Sequence, residues 1–341
     1  MGISIKGKGG GARVTIDGKP VIEKLDFKNK TRRMFTDVGY EQLEEKVQLL
    51  QINEDKFIVI INGFIYTFTY NTNNGSFSPL LKIGQNNFFT LTDLYSGYRE
   101  NKFYLLESRK LEELVYKEGL SSFERTILDS FDSYTIKKFC LSEDKNTIYE
   151  IGGFGPTYDI YSLNKTTSLK TLICSFKTDE TEYTTMDVLN IIFYKNKLYC
   201  FLNERRTIEN NKYDIGVYEI DIEKSTATRL FGFIEKFNPE FDFYQGFVIQ
   251  NTSIKNNDDI VFLGKGYNYK GDKYIIFRYI WNIKNNISQK NNEILGTIDD
   301  VKILKCFENK HYRMYLLYKT NDKLKTGIYL VEPIYIKTKE E

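Results

Sequence analysis

His311 is the chain's single histidine, so any Ser-His-Asp relay would have to run through it. It follows the polar run Glu308-Asn309-Lys310 and heads an apolar strand, which is the setting of a surface turn residue. One histidine also leaves a catalytic zinc short of its usual ligands. Gly2-Ile-Ser-Ile-Lys-Gly7-Lys8 has the spacing of a phosphate-binding loop, but Gly9 stands where the magnesium-binding Ser or Thr belongs. No buried strand precedes it and no helix is predicted after it, so it reads as a flexible glycine segment. The acidic pairs Asp258-Asp259 and Asp299-Asp300 fall in predicted turns. No EF-hand calcium loop is present. Cys140, Cys174, Cys200 and Cys306 stand singly inside apolar runs, where a free thiol behaves as a small hydrophobe; this suits a reducing compartment. The expectation is therefore a chain with no catalytic residue, no metal ligand set and no cofactor.

The elements that would position such residues are better marked. Six segments repeat: Lys56-Phe-Ile-Val-Ile, Lys102-Phe-Tyr-Leu-Leu, Thr147-Ile-Tyr-Glu-Ile, Lys197-Leu-Tyr-Cys-Phe, Asp259-Ile-Val-Phe-Leu and Arg313-Met-Tyr-Leu-Leu. Their second residues, Phe57, Phe103, Ile148, Leu198, Ile260 and Met314, are spaced by 46, 45, 50, 62 and 54 residues. Periods of 40 to 50 residues are those of four-stranded propeller blades. Strand candidates precede each anchor at 46–53, 89–99, 133–142, 183–195, 241–251 and 301–308. A third candidate follows each, and Val217-Tyr218-Glu219-Ile220-Asp221-Ile222 shows the period-2 alternation of a half-buried strand. Fourth strands are predicted at 76–83, 123–129, 169–176, 226–233 and 292–298. The sixth unit lacks one, so a strand near 34–40 is expected to complete it, with Arg13 to Ile16 as the other candidate. Two alanines in the whole chain fit the same picture, because alanine favours helices. The predicted fold is all-β, a six-bladed β-propeller over 34–341, with no clear helix beyond a turn or two at Tyr40 to Val47.

Residues 1–33 differ from the rest. Gly7, Gly9, Gly10 and Gly11 cluster, and Arg13-Val-Thr-Ile-Asp-Gly-Lys-Pro-Val-Ile reads as a hairpin turning at Asp17-Gly18. Such an arm has no core of its own and must pack on another surface. Gly9, Gly10, Gly11, Arg13, Val14 and Ile16 are its candidate partner-binding residues. Aromatics in predicted loops (Tyr95, Tyr98, Phe154, Tyr158, Tyr267 and Tyr269) are candidates for surface contacts. Tyr267 and Tyr269 stand out, because they lie in the longest unit and rim loops commonly carry binding. The net charge of +2 shows no basic excess for nucleic acid. The cluster Lys28, Lys30, Arg32 and Arg33 reads as a solvated linker. No run of 18 apolar residues occurs, so no membrane span is expected. The opening residues lack the apolar core of a secretory signal.

Ile151-Gly152-Gly153-Phe154 followed by Tyr158-Asp159-Ile160-Tyr161 resembles a kelch repeat, and Gly216-Val-Tyr-Glu-Ile-Asp221 is similar in its second half. The other four units lack the diglycine. The opening Met1 to Gly18 resembles the N-terminus of small structural proteins of phage tails and phage-tail-like bacteriocins of low-GC Gram-positive bacteria, clostridia above all. That resemblance implies an attachment arm carrying a propeller head. The protein would then be a non-enzymatic baseplate, fibre or accessory component, made in the cytoplasm and released by lysis in a virion or tail-like particle. Its partners would be baseplate, sheath or fibre subunits, and a cell-surface glycan is a further candidate. Two alternatives remain. One is a kelch-like protein-binding scaffold unrelated to phage. The other is a propeller glycosidase or lyase, since two suitably spaced loop carboxylates suffice for glycoside hydrolysis.

Overall fold

Each of the six anchors falls in the second strand of an antiparallel sheet, in the same topological place every time. In the computed structural model the backbone is described for 14–16, 19–21, 31–36, 47–52, 55–61, 64–71, 76–78, 81–85, 93–97, 102–107, 110–117, 122–130, 136–179, 183–206, 213–237, 243–254, 258–268, 273–288, 293–298, 301–308, 312–319 and 327–335. Side chains are described within 51–83, 102–130, 136–236 and 258–287.

The chain is nearly all-β. The first sheet runs Val47–Gln51, Lys56–Ile61, Phe64–Asn71, with Ser76–Phe77 and Leu81–Gln85 sharing the fourth place. The second is Asp93–Gly97, Lys102–Glu107, Lys110–Lys117, Ser122–Ser130. The third is Ile136–Leu141, Thr147–Phe154, Thr157–Asn164, Lys170–Lys177. The fourth is Tyr183–Tyr194, Lys197–Arg206, Tyr213–Asp221, Thr226–Gly232. The fifth is Phe243–Ile254, Asp259–Asn268, Lys273–Asn282, then Ile287–Ser288 and Glu293–Ile298. In the sixth, Val301–Glu308, Tyr312–Lys319 and Gly327–Tyr335 are joined by Thr31–Thr36. Phe57, Phe103, Ile148, Leu198 and Ile260 are at most 1% exposed. The repeat therefore reflects burial of the second strand in the first five sheets.

The strand that completes the sixth sheet begins three residues earlier than the expected 34–40. Gly327 pairs with Thr36, Ile328 with Phe35, and Val331 with Thr31. Arg32 and Arg33, which read as linker, lie opposite Leu330 and Tyr329. A ladder is made by backbone groups, so polar side chains can take part wherever one face is left to water. The segment 13–16 has another partner. Val14–Ile16 pairs with Lys19–Val21 in a separate two-stranded sheet, with Ile16 opposite Lys19. Pairing with two residues between the strands fits the Asp17-Gly18 hairpin signal, and those two residues lie outside the described set.

A second regularity was not legible in the sequence. Where the third strand meets the fourth, one residue of the fourth is skipped in every sheet. The skipped residues are Ile83, Leu128, Ile173, Leu230, Leu295 and Met34. All six are large and aliphatic. Opposite five of them the third strand reads aliphatic then aromatic: Ile65-Tyr66, Ile160-Tyr161, Val217-Tyr218, Ile276-Phe277 and Ile328-Tyr329. In the second sheet the pair is Leu111-Glu112. Such a bulge bends the strand and increases its twist. That Met34 occupies the shared position marks Thr31–Thr36 as a fourth strand like the others.

Sheets two to four make up one compact unit, and the first, sixth and most of the fifth make up another. Within the former, the first strands of sheets three and four lie side by side, as do their fourth strands. Within the latter, the first strands of sheets one and six are neighbours. Among the described residues there is also a short helix that was not predicted, Phe233–Phe237, after the fourth sheet.

Candidate functional site

The residues singled out in the sequence are not brought together. Gly9, Gly10, Gly11, Arg13, Tyr98, Tyr269, His311 and the pair Asp299-Asp300 lie outside the described residues. Val14 and Ile16 are in the hairpin. Tyr267, expected in a loop, lies in the strand Asp259–Asn268. The 62-residue span from Leu198 to Ile260 ends before Tyr267 and includes the helix and the twelve-residue strand Phe243–Ile254. Tyr95, Phe154 and Tyr158 are strand residues too, and Tyr158 is buried. Asp259 is buried and accepts a hydrogen bond from Asn282 Nδ2 at 2.9 Å, so it holds a strand end. Cys140, Cys174 and Cys200 are free, buried and part of one apolar cluster. Burial pushes the Cys174 thiol up to about 11 and the other two higher, far from the thiolate a nucleophile needs.

The densest described polar cluster sits in the fourth sheet, and neither spacing nor motif announced it. Glu204, on the second strand, has no exposed surface and faces Asp214 across the ladder. Its Oε1 accepts from Tyr218 Oη at 2.7 Å, and its Oε2 from Arg229 Nη2 at 2.8 Å. Gly216 provides the room: a Cβ there would overlap the Glu204 carboxylate. Asp214 Oδ1 accepts from the backbone N–H groups of Ile215 and Ile234, both at 2.7 Å, and Oδ2 from Glu235 at 3.0 Å. It thereby fixes the start of the short helix. Burial lifts the Asp214 carboxyl to about 6; the three backbone donors oppose this and Glu204 adds to it. The Tyr158 phenol is held neutral by burial, with Asp187 and Glu204 adding to the effect. Thr185 Oγ1 donates to Thr178 Oγ1 at 2.9 Å, and Thr178 in turn to the Pro156 carbonyl at 3.2 Å.

Each oxygen of both carboxylates has at least one donor. A general base needs a lone pair directed at a substrate proton, and these lone pairs are directed at the fold's own groups. The cluster is built as a satisfied buried network, which specifies one packing of the strands around it. Among the described residues, no group of three or more His, Cys, Asp or Glu side chains is placed to hold a metal ion. No described helix is long and apolar enough to cross a membrane.

No family model and no curated protein matches the chain. Solved structures do resemble it at low identity. A chain of the hydrazine synthase of Kuenenia stuttgartiensis is 9% identical, covering 85% of this chain and 80% of that one at a TM-score of 0.47. A chain of a nidogen/laminin complex is 8% identical, covering 79% and 94% at 0.46. The β-propeller domain of Myceliophteria thermophila Cps50 (Swd1) is 9% identical, covering 84% and 83% at 0.40. None of these likenesses assigns an activity to this chain.

Proposed function

We propose that the protein is a non-enzymatic structural or adhesive component of a phage tail or phage-tail-like particle, a six-bladed, kelch-like propeller anchored by its N-terminal arm. The observation that carries this reading is the hairpin Val14–Ile16/Lys19–Val21, which among the described residues pairs with no other sheet. An isolated hairpin is marginal in water, so it needs a second surface. Strand addition to a neighbouring subunit supplies one. The repeat of four-stranded meanders, with first strands adjacent and a shared bulge in the fourth, supports the propeller reading. The test is a chain lacking residues 1–30, which keeps Thr31–Thr36, expressed beside the genes of the particle. It should fold as a monomer yet be missing from purified particles. Normal incorporation of the shortened chain would overturn the reading.

The kelch-like scaffold reading draws on one specific feature. Gly153 of the diglycine has φ +119, and a Cβ there would overlap the Thr157 carbonyl oxygen. Only glycine suits that place, and the hairpin that follows depends on it.

A further inference from the structure

Glu150 lies on the second strand of the third sheet with no exposed surface. Lys170, on the fourth strand, brings its ammonium to 2.7 Å from Glu150 Oε2. The same ammonium stands 2.6 Å from Asp129 Oδ2, and Asp129 belongs to the fourth strand of the second sheet. Two carboxylates on different sheets therefore share one cation, and the ionised trio carries one surplus negative charge. Oε1 of Glu150 has no hydrogen-bond partner among the described residues. Its cross-strand neighbours are Phe139 on the first strand and Tyr161 on the third, and Lys170 lies over the Tyr161 ring at 5.1 Å. Among the described residues, the charged groups acting on Glu150 are Lys170 from its own sheet and Asp129 from the neighbouring one. A buried anion with an unfilled lone pair is costly. A protonated carboxyl removes the surplus charge and leaves the Lys170–Asp129 pair intact.

We infer that Glu150, Lys170 and Asp129 form a proton-operated latch between the second and third sheets, closed when Glu150 takes up a proton. The direction follows from burial, which raises the Glu150 carboxyl to about 7; Lys170 opposes the rise and Asp129 adds to it. The folded state then holds a proton that the unfolded chain has already released. The stabilisation from this proton is complete below the ordinary carboxyl range and is lost as pH rises through about 7. The joint is accordingly firmer in mildly acidic than in alkaline water.

Urea unfolding of the full chain between pH 5 and 8.5 tests this, since its pH slope counts the protons taken up on folding. Asp214 contributes in the same direction, so Glu150→Gln should remove about one proton from the count rather than abolish it. It should also make the protein more stable than the unsubstituted chain at the alkaline end. Asp129→Asn removes the second carboxylate beside Lys170 and should move the Glu150 contribution to lower pH. An undiminished proton count in Glu150→Gln would overturn the proposal. Should that variant not fold, an unmoved pH profile in Asp129→Asn would overturn it equally.

Discussion

Gly216 shows how one missing side chain supports a buried charge pair. The glycine has no Cβ, and the space is filled by the carboxylate of Glu204 with its Tyr218 and Arg229 donors. Gly216→Ala pushes that carboxylate off the half-buried Arg229 while Glu204 itself remains buried. Breaking such a pair costs about 3 kcal/mol or more, so a clear fall in the urea midpoint is expected. Asp214→Ala acts on a different interaction. It leaves three backbone N–H groups without their acceptor and should cost about 2 kcal/mol by the same measurement. Loss of amide protection should concentrate at Ile234 and Glu235. An unchanged midpoint for either substitution would contradict the satisfied-network reading of this cluster. None of this was readable beforehand. Glu204 and Asp214 are ordinary acids in sequence, and what distinguishes them is the partners the fold brings from 14 to 25 residues away.

At the scale of the element, the sequence was a good guide to strands and a poor guide to their edges. The anchors and the period-2 runs reported burial, and burial is what defines the second and third strands here. The outer strands escaped in detail because they are only half covered. Ile127, Leu172 and Leu230, all on fourth strands, are 56%, 49% and 37% exposed. A large aliphatic in such a place looks like core in a sequence, and a skipped residue leaves the composition unchanged. Of the aromatics assigned to loops, Tyr95, Phe154, Tyr158 and Tyr267 lie in strands instead. Tyr158 reads as polar-capable and turn-adjacent, yet it fills the core between sheets three and four, stacked on Phe176 at 5.6 Å. Two substitutions separate the classes of strand. Leu198→Ala, at a fully buried anchor, should cost about 3 kcal/mol. Leu172→Ala on the outer strand should change stability by no more than about 0.5 kcal/mol. Comparable losses for the two would mean that the outer strands are covered in solution. The repeated bulge has its own effect at this scale. It interrupts the regular row of backbone donors and acceptors that an edge presents, and so discourages edge-to-edge pairing between copies.

For the whole molecule, the informative pairing is that of Thr31–Thr36 with Gly327–Tyr335. The sequence placed the closing strand near its true position but put the arm's end at residue 33, because Arg32 and Arg33 look like linker. Two truncations decide whether the boundary is energetic as well as geometric. Removal of residues 1–30 should leave the unfolding midpoint within about 0.5 kcal/mol of the intact chain. Removal of residues 1–36 strips the sixth sheet of its fourth strand and exposes the edge of Gly327–Tyr335. That chain should aggregate or unfold at a markedly lower temperature in calorimetry. Equal stability of the two shortened chains would show that the pairing contributes nothing to the fold.

The same pairing sets an order of events during synthesis. Thr31–Thr36 leaves the ribosome well before its partner Gly327–Tyr335, which follows it by about 290 residues. At synthesis rates of about 5–20 residues per second, the early strand waits on the order of 15 to 60 seconds before Gly327–Tyr335 is made. Through that interval a segment with Met34 and Phe35 on it has an unfilled ladder, and the sheets made meanwhile have only transient substitutes to offer. The slow step in assembling the sixth sheet is then the meeting of these two strands. A chaperone that shields Thr31–Thr36 until then should raise the yield.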